Sequence, residues 1–263
     1  YGQEQMTSYI SWDQKFRNQI AYVSRVGESA GKMYGFVYDG TYKEEDFNIT
    51  VNENGKKTYE LKPGVPKFKD GCQPGDKNID GSEDNLITDN DRTVIGNGHP
   101  LHTGGFTNNF VYKNWDLNIF LQWSYGNDVF NVNRLVMENP GAKKQLNQFA
   151  SYKNRWSESN PTSNIPRVRA VGADEYSSLY VEDGSFLKLK TISLGYNFDT
   201  KTLKRIGLSA ARVFVSAENI ATITGYSGSD PEVSTRHSVL TPGFDWSAYP
   251  RAFNASLGVN VTF

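Results

Sequence analysis

The residues best placed for chemistry are acidic. The segment DGSEDNLITDND, residues 80–91, has the length and composition of a calcium-binding loop. Such a loop needs oxygen ligands at alternating positions and at its end, with an apolar residue inserted late in the run. Counted from Asp80, the ligands are Asp80, Ser82, Asp84, the Leu86 carbonyl, Thr88 and Asp91, and Ile87 takes the apolar position. Asn85 stands where glycine is usual, and Asn enters the left-handed region more readily than most residues. Counting from Asp76 instead ends the loop on Ile87, which cannot ligate. The final Asp91 is shorter than the usual bidentate Glu, so modest affinity is expected. An all-oxygen set on a flexible loop favours Ca2+ over Mg2+. The competing reading is an acidic, solvated loop held by Asx turns.

Other reactive residues are sparse. The three histidines are His99, His102 and His237; the first two share the loop GHPLHTGG and read as a surface pair. Cys72 is the single cysteine and has no partner for a disulfide or a zinc site. No G-x-S-x-G nucleophile elbow occurs, and GESAGK lacks the spacing of a phosphate loop. No catalysis is expected. A net charge of -1 gives no sign of a nucleic-acid partner.

The elements around these residues are two-faced strands. In the C-terminal stretch RAFNASLGVNVTF, Phe253, Ala255, Leu257, Val259, Val261 and Phe263 share one face, and Asn254, Ser256, Gly258, Asn260 and Thr262 the other. In WDLNIFLQWSY, Trp115, Leu117, Ile119, Leu121, Trp123 and Tyr125 line up against Asp116, Asn118, Gln122 and Ser124, with Phe120 as the exception. GGFTNNFVY precedes it across only Lys113 and Asn114, which makes a tight hairpin. SFLKLKTISLGYNF changes parity between Leu189 and Ile192, so a bulge is expected near Lys190–Thr191. ARVFVSAENIATIT continues the pattern from Ala211 to Ala217, and SYISWDQKFRNQIAYV is a weaker candidate near the start.

A β-sandwich with one wet face per sheet accounts for the alternation alone. Three features favour a transmembrane barrel. The strands run about 11–14 residues where soluble ones average about 5–6. Aromatics flank the apolar face at both ends, and eleven residues tilted about 45° rise roughly 25 Å, the height of an outer-membrane apolar band. Connections alternate short and long, as periplasmic turns and outer loops do. Mean hydropathy is -0.58 and no apolar run reaches helix-spanning length, but barrel strands need neither. Six membrane strands are expected, near 8–22, 104–113, 115–126, 185–198, 208–223 and 251–263, with 127–184 and 224–250 as long outer loops. The stretch 23–103 is expected to form an outer excursion carrying the 80–91 loop. Six strands cannot close a wide barrel, and an open edge is not tolerated in lipid. The chain starts at Tyr1 with no signal peptide. On both points the C-terminal part of a larger barrel is expected.

Several segments resemble SusC-like TonB-dependent transporters of the Gram-negative outer membrane: VGESAGKMYGFVYDG, DNDRTVIGN, TGGFTNNFVYKNWDLNIFLQWSYGNDVFN, YVEDGSFLKLKTISLGYNF, SAENIATITGYSGSDPEVS and PGFDWSAYPRAFNASLGVNVTF. In order and spacing they cover nearly all of residues 1–263 as the C-terminal barrel portion of that family. The family's fuller D-x-N-G-D-G run reads here as Asp80, Gly81, Ser82, Glu83, Asp84 and Asn85.

The resemblance implies an all-β, antiparallel, 22-stranded barrel around an N-terminal plug, a size class of plugged outer-membrane transporters. It implies a SusD-like surface lipoprotein as partner, and TonB as energy source through N-terminal sequence outside this chain. It implies oligosaccharide or peptide cargo. Phe263 resembles the terminal aromatic read by the barrel-assembly machinery. The resemblance names no substrate-contacting residue; TGYSGSDPE, residues 224–232, is a reasonable place for one, with plain loop packing as the alternative. The competing function is a soluble or surface-anchored glycan-binding β-sandwich.

Overall fold

A computed structural model describes residues 7–11, 20–46, 50–51, 57–58, 63–69, 87, 91–139, 147–235 and 238–263. In chain order the strands are β1 (Thr7–Ser11), β2 (Ile20–Arg25), β3 (Lys32–Gly35), β4 (Tyr38–Thr41), β5 (Thr50–Val51), β6 (Lys57–Thr58), β7 (Pro66–Phe68) and β8 (Thr93–Asn97). They continue as β9 (His102–Tyr112), β10 (Trp115–Tyr125), β11 (Asp128–Asn131), β12 (Val181–Asp183), β13 (Phe186–Asn197), β14 (Ala210–Thr224), β15 (Phe244–Asp245) and β16 (Asn254–Thr262). Two short helices are α1 (Val132–Met137) and α2 (Thr200–Lys204). The chain divides into two units, each drawn from three separate segments.

The sheet unit comprises Pro100–Asn127, Asp183–Glu232 and Ala248–Phe263. Its sheet has the order β16-β14-β13-β10-β9, and each neighbouring pair is antiparallel. This is an up-and-down meander in chain order, the arrangement expected of barrel strands. Lys113 and Asn114 join β9 to β10, with Lys113 at φ 53°. Asp199 caps α2 by accepting from the Lys201 N–H, and Leu203 of that helix is buried.

The expected bulge is present. Phe120 and Leu121 are consecutive in β10, yet they pair with Thr191 and Leu189, leaving Lys190 as the extra residue. A second irregularity had no signal in the spacing. In β14, Glu218 pairs with Thr191 and Ala221 with Leu189, so Asn219 and Ile220 oppose Lys190 alone. Asn219 takes φ 54°, which Asn tolerates better than most residues, and its amide donates to the Ala252 carbonyl at 3.0 Å. The two bulges keep Leu187, Leu189, Ala221 and Ile223 on the same face as the residues below them.

The packed unit comprises Tyr1–His99, Asp128–Glu182 and Val233–Ser247. Its four-stranded sheet has the order β1-β2-β3-β8, and a smaller one pairs β12 with β11 and β11 with β15 in parallel. The core gathers Ala21, Tyr22, Met33, Phe130, Val132, Leu135, Val136, Tyr176, Tyr180 and Phe244. Phe130 meets Tyr176 edge-on at 5.1 Å and stacks on Phe244 at 5.9 Å. The Tyr22 hydroxyl donates to the Pro242 carbonyl at 2.8 Å. The stretches expected as open loops, 127–184 and 224–250, therefore contribute much of a hydrophobic core. Apart from Val132, Leu135 and Val136, which share one side of α1, their apolar residues are scattered among Gly, Pro and Asn without period and become a core only in three dimensions.

The expected first membrane strand near 8–22 is corrected by the pairing. β1 and β2 lie antiparallel, with Tyr9 opposite Val23, so the chain reverses between them. Ala21, Tyr22 and Val23 are all buried, the signature of a strand covered on both faces rather than a two-faced one. Five of the six expected membrane strands form the long sheet.

Candidate functional site

The long sheet is itself the candidate site, because its two faces have different chemistry. One face carries rows that cross all the strands. Tyr112, Trp115, Tyr196, Val213 and Val259 form the first, and Phe110, Leu117, Leu194, Val215 and Leu257 the next. Asn108, Ile119, Ile192, Ala217 and Ala255 follow, with Asn108 the single polar member. Phe106, Leu121, Leu189 and Ala221 come after them. Much of this face is open: Phe110 is 55% exposed, Ile223 71% and Leu257 77%. Both clusters of buried hydrophobic residues found among the described residues are made of residues of the packed unit, and the long sheet contributes to neither. An uncovered apolar surface of this extent marks a protein or membrane contact.

Aromatic groups bound the apolar band at both ends. At one end Trp115 meets Tyr196 at 4.8 Å, and Tyr196 meets Phe198 at 5.2 Å. At the other, His102 stacks on Tyr125 at 5.2 Å and its Nδ1 accepts from the Trp123 indole N–H at 3.2 Å. Amphipathic rings in this placement suit the boundary between lipid and water.

The opposite face is mostly polar, with Val111, Phe120 and Phe214 as its apolar members. Asn109, Asn118, Ser193, Ser216 and Ser256 form one row, with the Asn118 amide donating to Asn109 at 2.6 Å. Asp116 on β10 and Arg212 on β14 belong to adjacent rows, opposite Gly195 and Asn197 respectively, and meet diagonally past Gly195 of the strand between them, with Arg212 Nε donating at 3.2 Å. A Cβ at Gly195 would lie 2.4 Å from Arg212 Nη2 and 2.7 Å from the Asp116 oxygens. Gly195→Leu is expected to part the pair and cost about 1–3 kcal/mol by overpacking. The cost is read as an earlier midpoint of urea unfolding in detergent. Asp116→Asn, which only weakens a half-exposed pair, costs less than about 1 kcal/mol. Equal midpoints for Gly195→Leu and the parent chain would refute this account.

Nearer the Tyr125 end of the same face lies a buried ion network. Lys188 is 3% exposed and Asp230 7%. Lys188 Nζ reaches Asp230 at 2.6 Å and Glu232 at 3.0 Å. Lys190 meets Glu232 at 3.4 Å, and Arg251 meets Glu232 at 3.3 Å and Asp230 at 3.7 Å. Buried charges in a sheet wall are tolerated when paired this fully. Burial pushes the Glu232 carboxyl up, but hydrogen bonding and charge from Lys188, with Arg251 and Lys190 behind it, outweigh that and hold it below the usual Glu range. A depressed carboxyl stabilises the fold above its unfolded-state value of about 4.3, and the contribution disappears as pH falls through the folded value. Resistance of residues 225–232 to limited proteolysis is therefore expected to hold from neutrality to about pH 5 and to decline progressively once the pH falls below about 4.3. Cleavage that already rises at about pH 6 would point to another group.

Of the proposed calcium ligands, Asp80, Ser82, Asp84, Leu86 and Thr88 lie outside the described residues. Asp91 is described and buried, just ahead of β8. Cys72 and His237 also lie outside the described residues. His99 and His102 fall in different units; His99 Nε2 lies 2.7 Å from the Val239 carbonyl oxygen. Among the described residues no group of three or more His, Cys, Asp or Glu side chains is placed to hold a metal. Phe263 is 89% exposed, one residue beyond β16. Within 224–232, Asp230 and Glu232 are engaged by the ion network. That network escaped sequence reasoning. Lys188 carries one signal, a charge on the polar parity of FLKLK, but its partners lie 42 and 44 residues away.

No protein-family model matches the chain. It is 34% identical over 254 residues to the TonB-dependent receptor P3 of Formosa agariphila, an alignment covering 94% of this chain and 24% of that protein. It is 30% identical over 164 residues to the TonB-dependent receptor SusC of Bacteroides thetaiotaomicron, covering 60% of this chain and 15% of SusC. The fold is similar to that of the RagAB peptide importer in its open-open state, with a TM-score of 0.70 and 22% identity, over 92% of this chain and 23% of that one. The chain spans about a quarter of the length of P3 and of the matched RagAB chain.

Proposed function

We infer function from one premise: this chain is barrel sequence of a SusC-like TonB-dependent receptor. On that premise it forms part of the wall and outer loops of a transporter that imports nutrient oligomers across the outer membrane of a Gram-negative bacterium. The observation that carries this reading is the long sheet, apolar and open on one face, polar on the other, with aromatics at both ends of the apolar band. The apolar face meets lipid and the polar face lines the protein interior, the division found in transmembrane barrels. β9 and β16 are the edges of the described sheet, and further strands of the same receptor pair with them.

The partners proposed are a SusD-like surface lipoprotein at the outer face and TonB, engaged through sequence outside this chain. Peptide cargo is supported by likeness to a peptide importer, and oligosaccharide cargo is the second class. We also propose that residues 80–91 hold a structural Ca2+, on their spacing alone. Asp80→Ala with Asp84→Ala should then lower the calcium that survives purification, read by elemental mass spectrometry; equal content in both proteins removes the site.

The deciding experiment is purification from detergent-solubilised outer membranes. Gel mobility is compared before and after boiling, and co-purifying chains and small molecules are identified by mass spectrometry. A heat-modifiable barrel that brings down a surface lipoprotein and bound peptides or oligosaccharides supports import. A soluble, monomeric chain insensitive to boiling would instead support the glycan-binding sandwich.

A further inference from the structure

We propose that residues 225–232 form a strap latched across the polar face of the sheet, and that Lys188 is the latch. The register gives the strap its direction. β14 ends at Thr224, opposite Phe186, whereas Lys188 sits one row further in, opposite Thr222. After leaving β14 the chain nevertheless brings Asp230 to within 2.6 Å of Lys188 Nζ and Glu232 to within 3.0 Å. It has doubled back over the polar side of the sheet.

The turn itself is fixed by hydrogen bonds. Thr224 Oγ1 donates to the Ser185 carbonyl at 2.9 Å and accepts from the Tyr226 N–H at 3.1 Å. Tyr226 and Pro231 are buried, and a Cβ at Gly228 would lie 2.4 Å from the Tyr226 ring, so the strap is tightly folded. Lys190 from the bulge and Arg251 just ahead of β16 add two attachments to Glu232. Ion pairs thus join the strap to β13 and to Arg251. When the strap lifts, Lys188, Asp230 and Glu232 regain the hydration that burial cost them, which offsets part of the lost pairing. Three segments distant in the chain, FLKLK, SDPE and YPR, meet at this one point. Resting on the import reading, in which the polar face lines the passage, the latched strap narrows the mouth of that passage.

The test uses the full-length receptor in outer membranes, in a Cys72→Ser background with Pro231→Cys as reporter. The probe is a membrane-impermeant maleimide. With Lys188 in place the buried reporter should label slowly. Lys188→Met should raise the labelling rate at least tenfold while the boiling-dependent mobility shift is kept, and Lys188→Arg should restore protection. A folded Lys188→Met receptor that labels at the parental rate overturns the latch. If Lys188→Met does not assemble, the pair Glu232→Gln and Arg251→Met, whose side chains are less buried, decides by the same rates. Labelling is independent of cargo. A receptor that labels as expected yet co-purifies with no lipoprotein or oligomer keeps the latch and sinks the import reading.

Discussion

Ile192→Arg should abolish assembly of the sheet into a heat-modifiable form, whereas Ser193→Arg, one residue on, should leave it intact. Ile192 occupies the middle row of the apolar face, flanked by Ile119 and Ala217. If that row lies near the bilayer midplane, an Arg there costs about 2–4 kcal/mol, or roughly 30- to 1,000-fold in the folded-to-unfolded ratio. Ser193 points to the other face, between Asn118 and Ser216, where a cation stays among polar groups. The comparison holds helix and strand propensity, chain position and added charge nearly constant, so only the face differs. Boiled and unboiled samples of each variant, run from outer membranes, read the outcome. Equal assembly of both variants would show that the apolar face does not meet lipid.

Phe130→Ala is expected to act on the packed unit alone. Phe130 is fully buried, stacked on Phe244 and edge-on to Tyr176. Removing its ring leaves a cavity that costs about 3–5 kcal/mol, a large share of a typical stability of about 5–15 kcal/mol. Among the described residues none of the long sheet belongs to this core, and the boiling-dependent shift is expected to survive. Protease cleavage should appear within 128–182 and 233–247, the segments that build the core with residues up to 99. Loss of the mobility shift together with the cleavage would mean that the two units stand or fall together.

The legible parts of this fold are those whose signal is local. Alternation, broken only locally as at Phe120, located β9, β10, β13, β14 and β16, and a change of parity between Leu189 and Ile192 located the bulge at Lys190. The second bulge was hidden because Ala217, Ala221 and Ile223 keep the same parity through it. The residues read as a strand near 8–22 were misjudged for a related reason. Ala21, Tyr22 and Val23 are apolar in succession, and only burial on both sides distinguishes such a run from one face of a two-faced strand. The core of the packed unit was illegible because Met33, Phe130, Tyr176 and Phe244 come from separate stretches with no common period. The ion network was half legible. A lysine on the polar parity of a strand asks for a partner, but nothing in the spacing says that Asp230 supplies it.

The chain passes between the two units five times. That sets an order of events during folding. The hairpin of β9 and β10 closes across two residues, so it forms as soon as its own sequence is available. The bond from Tyr22 to Pro242 closes a loop of 220 residues, and long-range closures of this kind are slow because their entropy is lost before any contact repays it. The packed unit therefore cannot finish until residues 233–247 have joined it. Until then Phe130, Tyr176 and the open face of the long sheet are all exposed to water together, the state in which chains of this size aggregate. Conditions that delay that closure should therefore cost yield well before they alter the finished structure.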